Sequence, residues 1–132
     1  MSNQFGGQTQ IVAVRYIVDD VDSAVSFYRN MLGFTVSQHN KSAFADLSLG
    51  NLRLLINQPG AGGAGKAMPD GTFPSPGGWN RFQIEVENLD SVVEKLKQEG
   101  ARFHNEIVTN NGRKQVLLED PSGNLIELFQ PG

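Results

Sequence analysis

The chain has 132 residues, of which 39% are hydrophobic and 19% charged. This balance is typical of one globular domain and argues against a disordered segment or a membrane protein. There is no cysteine, which excludes a disulfide framework, a thiol nucleophile and thiolate metal ligands. The net charge is −3 and the eleven basic residues are scattered along the chain, whereas nucleic-acid binding favours a basic stripe. We therefore expect neither a nucleic-acid partner nor a membrane span.

The chain reads as two similar halves. Residues 20–25, Asp-Val-Asp-Ser-Ala-Val, return 68 positions later as residues 88–93, Asn-Leu-Asp-Ser-Val-Val. Each copy follows an alternating strand pattern and begins a helix pattern. The sequence therefore predicts a first module at 11–58 and a second at 79–130, within one compact domain.

The segments outside the modules are polar or rich in glycine. Residues 1–10 have neither the basic start nor the apolar run of a secretion signal, so they predict a flexible lead-in and a cytoplasmic protein. Residues 59–78 are rich in glycine and proline. A connection of this length is either a lid over a ligand or a slack linker, and Lys66, Met68 and Phe73 are its candidate ligand contacts.

The first module begins with a strand pattern from Ile11 to Val18. Asp20 or Asp22 is the expected N-cap of a helix at about 22–32, and Gly33 suits the left-handed position that ends it. Short strands are expected at about 34–38, 43–49 and 52–57, with a tight turn at residues 50–51 (Gly-Asn).

The second module repeats this order. A strand is expected at 81–86 and a helix at about 89–99, followed by strands near 101–108, 113–119 and 124–129. Residues 111–112 (Asn-Gly) mark a hairpin, and Asp-Pro-Ser-Gly at 120–123 fits a type I turn. Each half is therefore βαβββ, and the fold class is α+β.

Each predicted sheet has an apolar face, which must cover its helix. We call the opposite side of both sheets the open face. Charged residues on it favour plain solvent exposure, but the mixture of polar and apolar side chains is typical of a ligand pocket. The interpretation favoured here is a small-molecule cavity between curved sheets. Its predicted ligand-binding residues are Arg15, Arg53, Leu55, Arg81, Gln83, Glu85, Gln115, Leu117, Glu127 and Phe129.

Two segments carry a resemblance to a known family. They are residues 21–28 with the following Leu-Gly-Phe at 32–34, and residues 119–128. Together with the order of elements from Ile11 to Gln130, they resemble the glyoxalase, bleomycin-resistance and extradiol-dioxygenase superfamily, also called vicinal oxygen chelate proteins. The resemblance implies two βαβββ modules whose curved mixed sheets enclose a cavity.

The resemblance also implies a divalent metal, held by one His, Gln or Glu from each of four strands. Carried over, these positions fall on Ala13, on Leu55 with an uncertainty of one residue, on Arg81 and on Glu127. Of these four residues, only Glu127 has a side chain that can bind a divalent metal. At ~4 Å and an effective dielectric of ~20, Arg81 would repel even a single positive charge by about 4 kcal/mol. His39 and His104 are expected to be surface or packing residues, so the prediction is no metal and no cofactor.

Three functions remain open. The first is a binding protein that sequesters a small molecule, as antibiotic-resistance members of the family do. The second is a metal-independent lyase, isomerase or epimerase with Glu127 or Glu85 as general base and Arg81 as oxyanion stabiliser. The third is an accessory module with a vestigial pocket. Binding is favoured, because Arg81 would engage the carboxylate of Glu127, and a homodimer is expected.

Overall fold

The computed structural model describes residues 11–60 and 65–132 of the chain. The predicted lead-in at 1–10 and residues 61–64 of the predicted connection lie outside this part. The first module contains β1 Ala13–Ile17, α1 Val21–Asn30, β2 Thr35–Asn40, β3 Phe44–Leu49 and β4 Leu52–Asn57. The second contains β5 Arg81–Glu85, α2 Leu89–Gln98, β6 Arg102–Phe103, β7 Val108–Asn110, β8 Arg113–Glu119 and β9 Leu125–Gln130.

Each module forms its own curved mixed sheet. The first has the order β1-β4-β3-β2, and the second has β5-β9-β8 with both β6 and β7 paired to β8. In each sheet the first and last strands are parallel, with Ala13 opposite Arg53 and Arg81 opposite Leu125. The two sheets repeat one topology, and the predicted α+β fold of two βαβββ modules is confirmed.

The prediction of one strand at 101–108 is wrong. The chain leaves the sheet after Phe103 and returns at Val108. Between them, the Asn105 side chain accepts a hydrogen bond from the Leu117 backbone N–H at 2.9 Å. This side chain thus satisfies a β8 donor that a continuous strand would have paired with backbone.

Both helices begin and end as capping rules require. Asp20 is the N-cap of α1 and accepts from the backbone N–H groups of the next turn, so Asp20, not Asp22, fills the predicted role. Gly33 and Gly100 follow the helices with φ of +80° and +91°, where glycine avoids the strain of a side chain. Each helix has ten residues, and in the two described ranges no helix is long and apolar enough to cross a membrane.

A glutamine at the end of each sheet binds the start of each helix. Gln58 Oε1 accepts from the Val21 backbone N–H at 3.0 Å, and Gln130 Oε1 accepts from the Leu89 backbone N–H at 2.7 Å. Both bonds satisfy a donor that has no partner within its helix. The repeat therefore extends to individual side-chain hydrogen bonds.

One core joins the two modules. Rings of the first module meet Phe82 of β5, with centroids 5.4 Å away for Tyr16, 6.5 Å for Tyr28 and 6.1 Å for Phe34. Such tilted and edge-on pairs stabilise the contact beyond the apolar area they bury. The helix-facing sides of both sheets thus belong to a single hydrophobic cluster.

The turn at residues 120–124 ties the modules together, and we call it the Asp120 turn. Asp120 is fully buried, and its carboxylate accepts from the Tyr28 hydroxyl at 2.8 Å and from the Asn124 side chain at 3.0 Å. Asn124 also donates to the Ile17 carbonyl at 2.8 Å. Burial, with the nearby Asp120 charge, raises the pKa of Tyr28 well above its ordinary value.

Candidate functional site

On the open face of the second module, three predicted site residues form one network. Arg81 and Gln83 lie on β5, and Glu127 lies opposite Gln83 on β9. The Arg81 guanidinium holds Glu127 Oε1 through Nε and Nη2, both at 3.1 Å. Gln83 Nε2 donates to Glu127 Oε2 at 2.6 Å. Both oxygens of this largely buried carboxylate are therefore engaged by donors of the protein.

The open face of the first module holds two separate pairs. Arg53 binds Asp46 on β3, with Nη2 to Oδ2 at 2.7 Å, and Arg15 Nη1 donates to Asn57 Oδ1. The hydrogen bond and the charge of Asp46 raise the pKa of Arg53 above its ordinary value. The sequence prediction assigned no role to Asp46, although alternation places Asp46 opposite the buried side chains of Ala45 and Leu47.

Strand pairing decides the register that the sequence left uncertain. The parallel pairing begins with Ala13 opposite Arg53 in the first module and with Arg81 opposite Leu125 in the second. Two residues further along, Leu55 stands opposite Arg15 and Glu127 stands opposite Gln83. Leu55 therefore holds in the first module the place that Glu127 holds in the second, and Ala13 the place of Arg81. The four family positions thus carry the apolar side chains of Ala13 and Leu55, the guanidinium of Arg81 and the hydrogen-bonded carboxylate of Glu127. This set of groups does not fit a divalent metal. Within residues 11–60 and 65–132, no three His, Asp or Glu side chains are grouped so as to hold a metal ion.

The other predicted site residues lie around two cavities. Gln115 and Phe129 border one of about 220 Å³, together with Val108, Asn110 and Arg113. Gln83 and Glu85 border another of about 410 Å³, where β5 meets the β3–β4 turn of the first module. Leu117 stands opposite Glu127, between these regions. That all ten predicted residues contact one ligand stays a prediction.

A further group of side chains, the Trp79 cluster, consists of Trp79, His104 and Glu119. Trp79 is 68% exposed, and its ring meets His104 edge-on, with centroids 5.5 Å apart. His104 Nδ1 lies 3.7 Å from Glu119 Oε2. Sequence reasoning gave Trp79 no role, although it is the only tryptophan of the chain and stands two residues before Arg81.

The remaining predicted candidates are spread over the surface. Met68 and Phe73, from the connection between the modules, are 45% and 56% exposed, and Lys66 is exposed as well. His39 points away from the open face and meets Asp22 of α1 at 2.7 Å.

Comparison with known proteins agrees with the topology. A family model described as Glyoxalase/Bleomycin resistance protein/Dioxygenase superfamily matches residues 10–128. The chain belongs to this superfamily, as the resemblance of its two motif segments implied.

Particular relatives differ in what they do. Human mitochondrial methylmalonyl-CoA epimerase is 31% identical over 130 residues, covering 89% of this chain and 71% of the epimerase. The bleomycin resistance protein of Geobacillus stearothermophilus is 27% identical over 120 residues, covering 86% and 90%. A solved structure, lactoylglutathione lyase from Agrobacterium tumefaciens, superposes with a TM-score of 0.71 at 20% identity, covering 95% of this chain and 96% of the lyase. Family membership thus defines the fold but not the chemistry.

Proposed function

We propose that this protein binds and sequesters a small organic molecule, an antibiotic or a metabolite, on its open face without a metal. The observation that carries the proposal is the Arg81–Glu127–Gln83 network. It places a fixed guanidinium at one of the four family positions and uses both oxygens of the only carboxylate among them. Of the four positions that would hold a catalytic metal, Ala13 and Leu55 are apolar, Arg81 is a cation, and the Glu127 carboxylate is already bound by Arg81 and Gln83.

The composition of the open face supports a ligand with both polar and apolar parts. Among the residues that the structure describes, Arg15 and Arg53 are each held by one partner, and a guanidinium has five N–H donors. Each therefore keeps donors for a carbonyl, phenolate or carboxylate of a ligand. Leu55 and Leu117 supply apolar contact beside them, and such a mixture is usual in small-molecule sites. The similarity to bleomycin resistance proteins supports the same class of function.

We also propose that two copies associate as a homodimer. Ile11 and Val12, just before β1, are 70% and 73% exposed, and adjacent exposed apolar side chains are typical of a contact surface. Light scattering at micromolar concentration tests this, and a mass of one chain would contradict it.

A second candidate function is metal-independent epimerisation, isomerisation or bond cleavage. The observation that favours it is the 31% identity with an epimerase. Glu127 or Glu85 would then take a proton and Arg81 would stabilise the resulting oxyanion. Both carboxylate oxygens of Glu127 already accept bonds from the protein, so the proton would go to a remaining lone pair of this carboxylate.

Native mass spectrometry of the purified protein, followed by calorimetry with the small molecule recovered, tests the proposal. Arg15→Met, Arg53→Met and Arg81→Met should each weaken binding, while Arg29→Met, which removes an exposed arginine of α1, should not. Equal affinities in all four variants would contradict binding on the open face. Turnover of the recovered molecule that is lost in Glu127→Gln would establish the second candidate instead.

Metal independence has its own test. Zinc, nickel or manganese should leave the melting temperature of the wild type unchanged. The triple variant Ala13→His, Leu55→Glu, Arg81→His supplies four ligands with Glu127, and its free energy of unfolding should rise by about 2.7 kcal/mol when the metal is at a hundred times its dissociation constant. A stoichiometric metal bound through Glu127 in the unmodified chain would overturn the proposal.

A further inference from the structure

The Trp79 cluster presents an aromatic face to solvent at the edge of the open face. Trp79 is the most exposed aromatic side chain in the described part of the chain, at 68%. Its contact with the His104 ring is edge-on, at an interplanar angle of 86°, and leaves most of the indole exposed. A large indole held in place but uncovered is a surface on which another planar ring can stack.

The cluster is continuous with the Arg81–Glu127 network. The Trp79 carbonyl accepts from Arg81 Nη1 at 3.4 Å. Glu119 on β8 stands opposite Leu125 on β9. The residue before it, Leu118, is fully buried on the helix side. Glu119 therefore lies on the open face, as Glu127 does. A molecule stacked on Trp79 therefore lies beside the site proposed above.

Glu119 gives the Trp79 cluster a carboxylate. Arg102, which stands opposite Glu119 on β6, directs its guanidinium to the backbone carbonyls of Asp120 and Pro121. Arg81 and Glu127 neutralise each other. Within residues 11–60 and 65–132, the basic group within 4.0 Å of the Glu119 carboxylate is His104, which supplies a charge only when it is protonated. The face of an indole is itself the negative side of its quadrupole, so carboxylate and ring favour the same kind of ligand.

We propose that the Trp79 cluster binds the planar aromatic cation of a ligand, whose ring stacks on Trp79 and whose positive charge faces Glu119. The inference rests on the proposed function, which it deepens by naming the class of ligand. Arg15 and Arg53 on the first module would then meet the electron-rich end of the same molecule.

The probe pair N-methylquinolinium and quinoline tests the proposal, because the two share a ring system and differ in charge at pH 7.5. The single tryptophan gives one indole N–H resonance, which should shift on titration with N-methylquinolinium. Calorimetry should show the cation binding about three- to fivefold more tightly than quinoline, as expected for a cation over an exposed indole. Trp79→Leu should weaken binding of the cation about tenfold, and Trp79→Phe should weaken it less. Glu119→Gln should reduce the preference for the cation over quinoline.

A matched variant controls for general effects. Glu106→Gln removes another exposed carboxylate, so this variant should bind the cation as the wild type does. Equal binding of quinoline and N-methylquinolinium, or unchanged binding in Trp79→Leu, would overturn the proposal. An indole resonance that shifts with protein concentration but not with the probe would overturn it as well, by showing that a second copy of the chain covers Trp79.

The two proposals fail separately. If the recovered ligand depends on Arg15, Arg53 and Arg81 but N-methylquinolinium does not bind, only the role of the Trp79 cluster is wrong. If N-methylquinolinium binds at Trp79 while the three arginine substitutions leave the affinity for the recovered ligand unchanged, only the proposed function is wrong.

Discussion

The two modules are alike on the side that faces the helices and different on the open face. On the helix side, even the hydrogen bonds from Gln58 and Gln130 to the helix starts occupy equivalent places. On the open face, the first module has two isolated pairs, Arg53–Asp46 and Arg15–Asn57. The second joins Arg81, Gln83 and Glu127 into one network. A repeated backbone therefore constrains packing without constraining chemistry.

The pairing of charges differs in the same way. The open face of the first module has two arginines and one aspartate, hence a net charge of +1, at Arg15, Arg53 and Asp46. That of the second has three arginines and three glutamates, hence a net charge of zero with His104 neutral, at Arg81, Arg102, Arg113, Glu85, Glu119 and Glu127. The two open faces therefore differ in how their charged side chains are paired more than in net charge, and the predictions below test how far the modules differ.

The largest effect is expected at the Asp120 turn, which has no counterpart in the first module, where a two-residue turn joins β3 to β4. Asp120→Ala leaves the Tyr28 hydroxyl and the donors of Ser122 and Asn124 without their buried acceptor. Unsatisfied buried donors are costly, so the free energy of unfolding should fall by about 3–4 kcal/mol, measured by urea titration. Asp70→Ala, in an exposed turn, is the matched control and should change little. A similar loss in both variants would contradict the special role of this turn.

Next in size is the difference between the two ion pairs. A double-mutant cycle with Arg81→Met and Glu127→Gln should give a coupling energy of about 2 kcal/mol, because the carboxylate is largely buried. The cycle with Arg53→Met and Asp46→Asn should give a smaller value, since the Arg53 side chain is 45% exposed against 33% for Arg81. Equal coupling in both modules would show that exposure does not distinguish the pairs.

Alkaline pH distinguishes the modules through their tyrosines, because both tyrosines of the chain, Tyr16 and Tyr28, lie in the first module. Burial is the main cause that raises the pKa of Tyr16 to about 12 from 10.0. Between these values the unfolded chain releases the proton while the folded chain keeps it, so stability is complete below pH 10 and falls as the pH rises towards 12. For Tyr16 the loss is about 1.4 kcal/mol at pH 11. Urea titrations at pH 9 and 11 should show a smaller loss for Tyr16→Phe than for the wild type, and equal losses would contradict the assignment.

The smallest effect should be equal in the two modules. Gln58→Ala and Gln130→Ala each remove one hydrogen bond to a helix start, and each should lower the free energy of unfolding by about 1 kcal/mol. A clear difference between these variants would show that the repeat is less complete than its geometry indicates.

Local rules were enough for most of the fold. The N-cap at Asp20, the helix ends before Gly33 and Gly100 and the bounds of β4 and β8 follow from capping, turn residues and alternation. The break between β6 and β7 could not be predicted, because it depends on one side chain, Asn105, that reaches a neighbouring strand.

The candidate site was predictable only in part, for a related reason. The family resemblance placed Arg81 and Glu127 at positions that would share one metal ion, and the structure shows them in contact. Asp46, the partner of Arg53, is only seven residues away across the β3–β4 hairpin, so the predicted turn and alternation were enough to indicate it. The partner of Trp79 follows β6, and this contact depends on elements distant in sequence. Neither alternation nor turn chemistry predicts a contact of the second kind.

The contacts that join the modules also set an order of events during synthesis. Asp19, Ile17 and Tyr16 bind Ser122, Asn124 and Leu125, which follow them by 103, 107 and 109 residues. At about 5–20 residues per second, a ribosome completes the first module roughly 3–13 seconds before it reaches Leu125. Throughout this interval the nascent first module lacks Phe82 or the Asp120 turn, and its apolar surface stays uncovered. Substitutions in the last fifteen residues should therefore lower the yield of folded protein made in cells, even where the free energy of unfolding of the purified protein changes little.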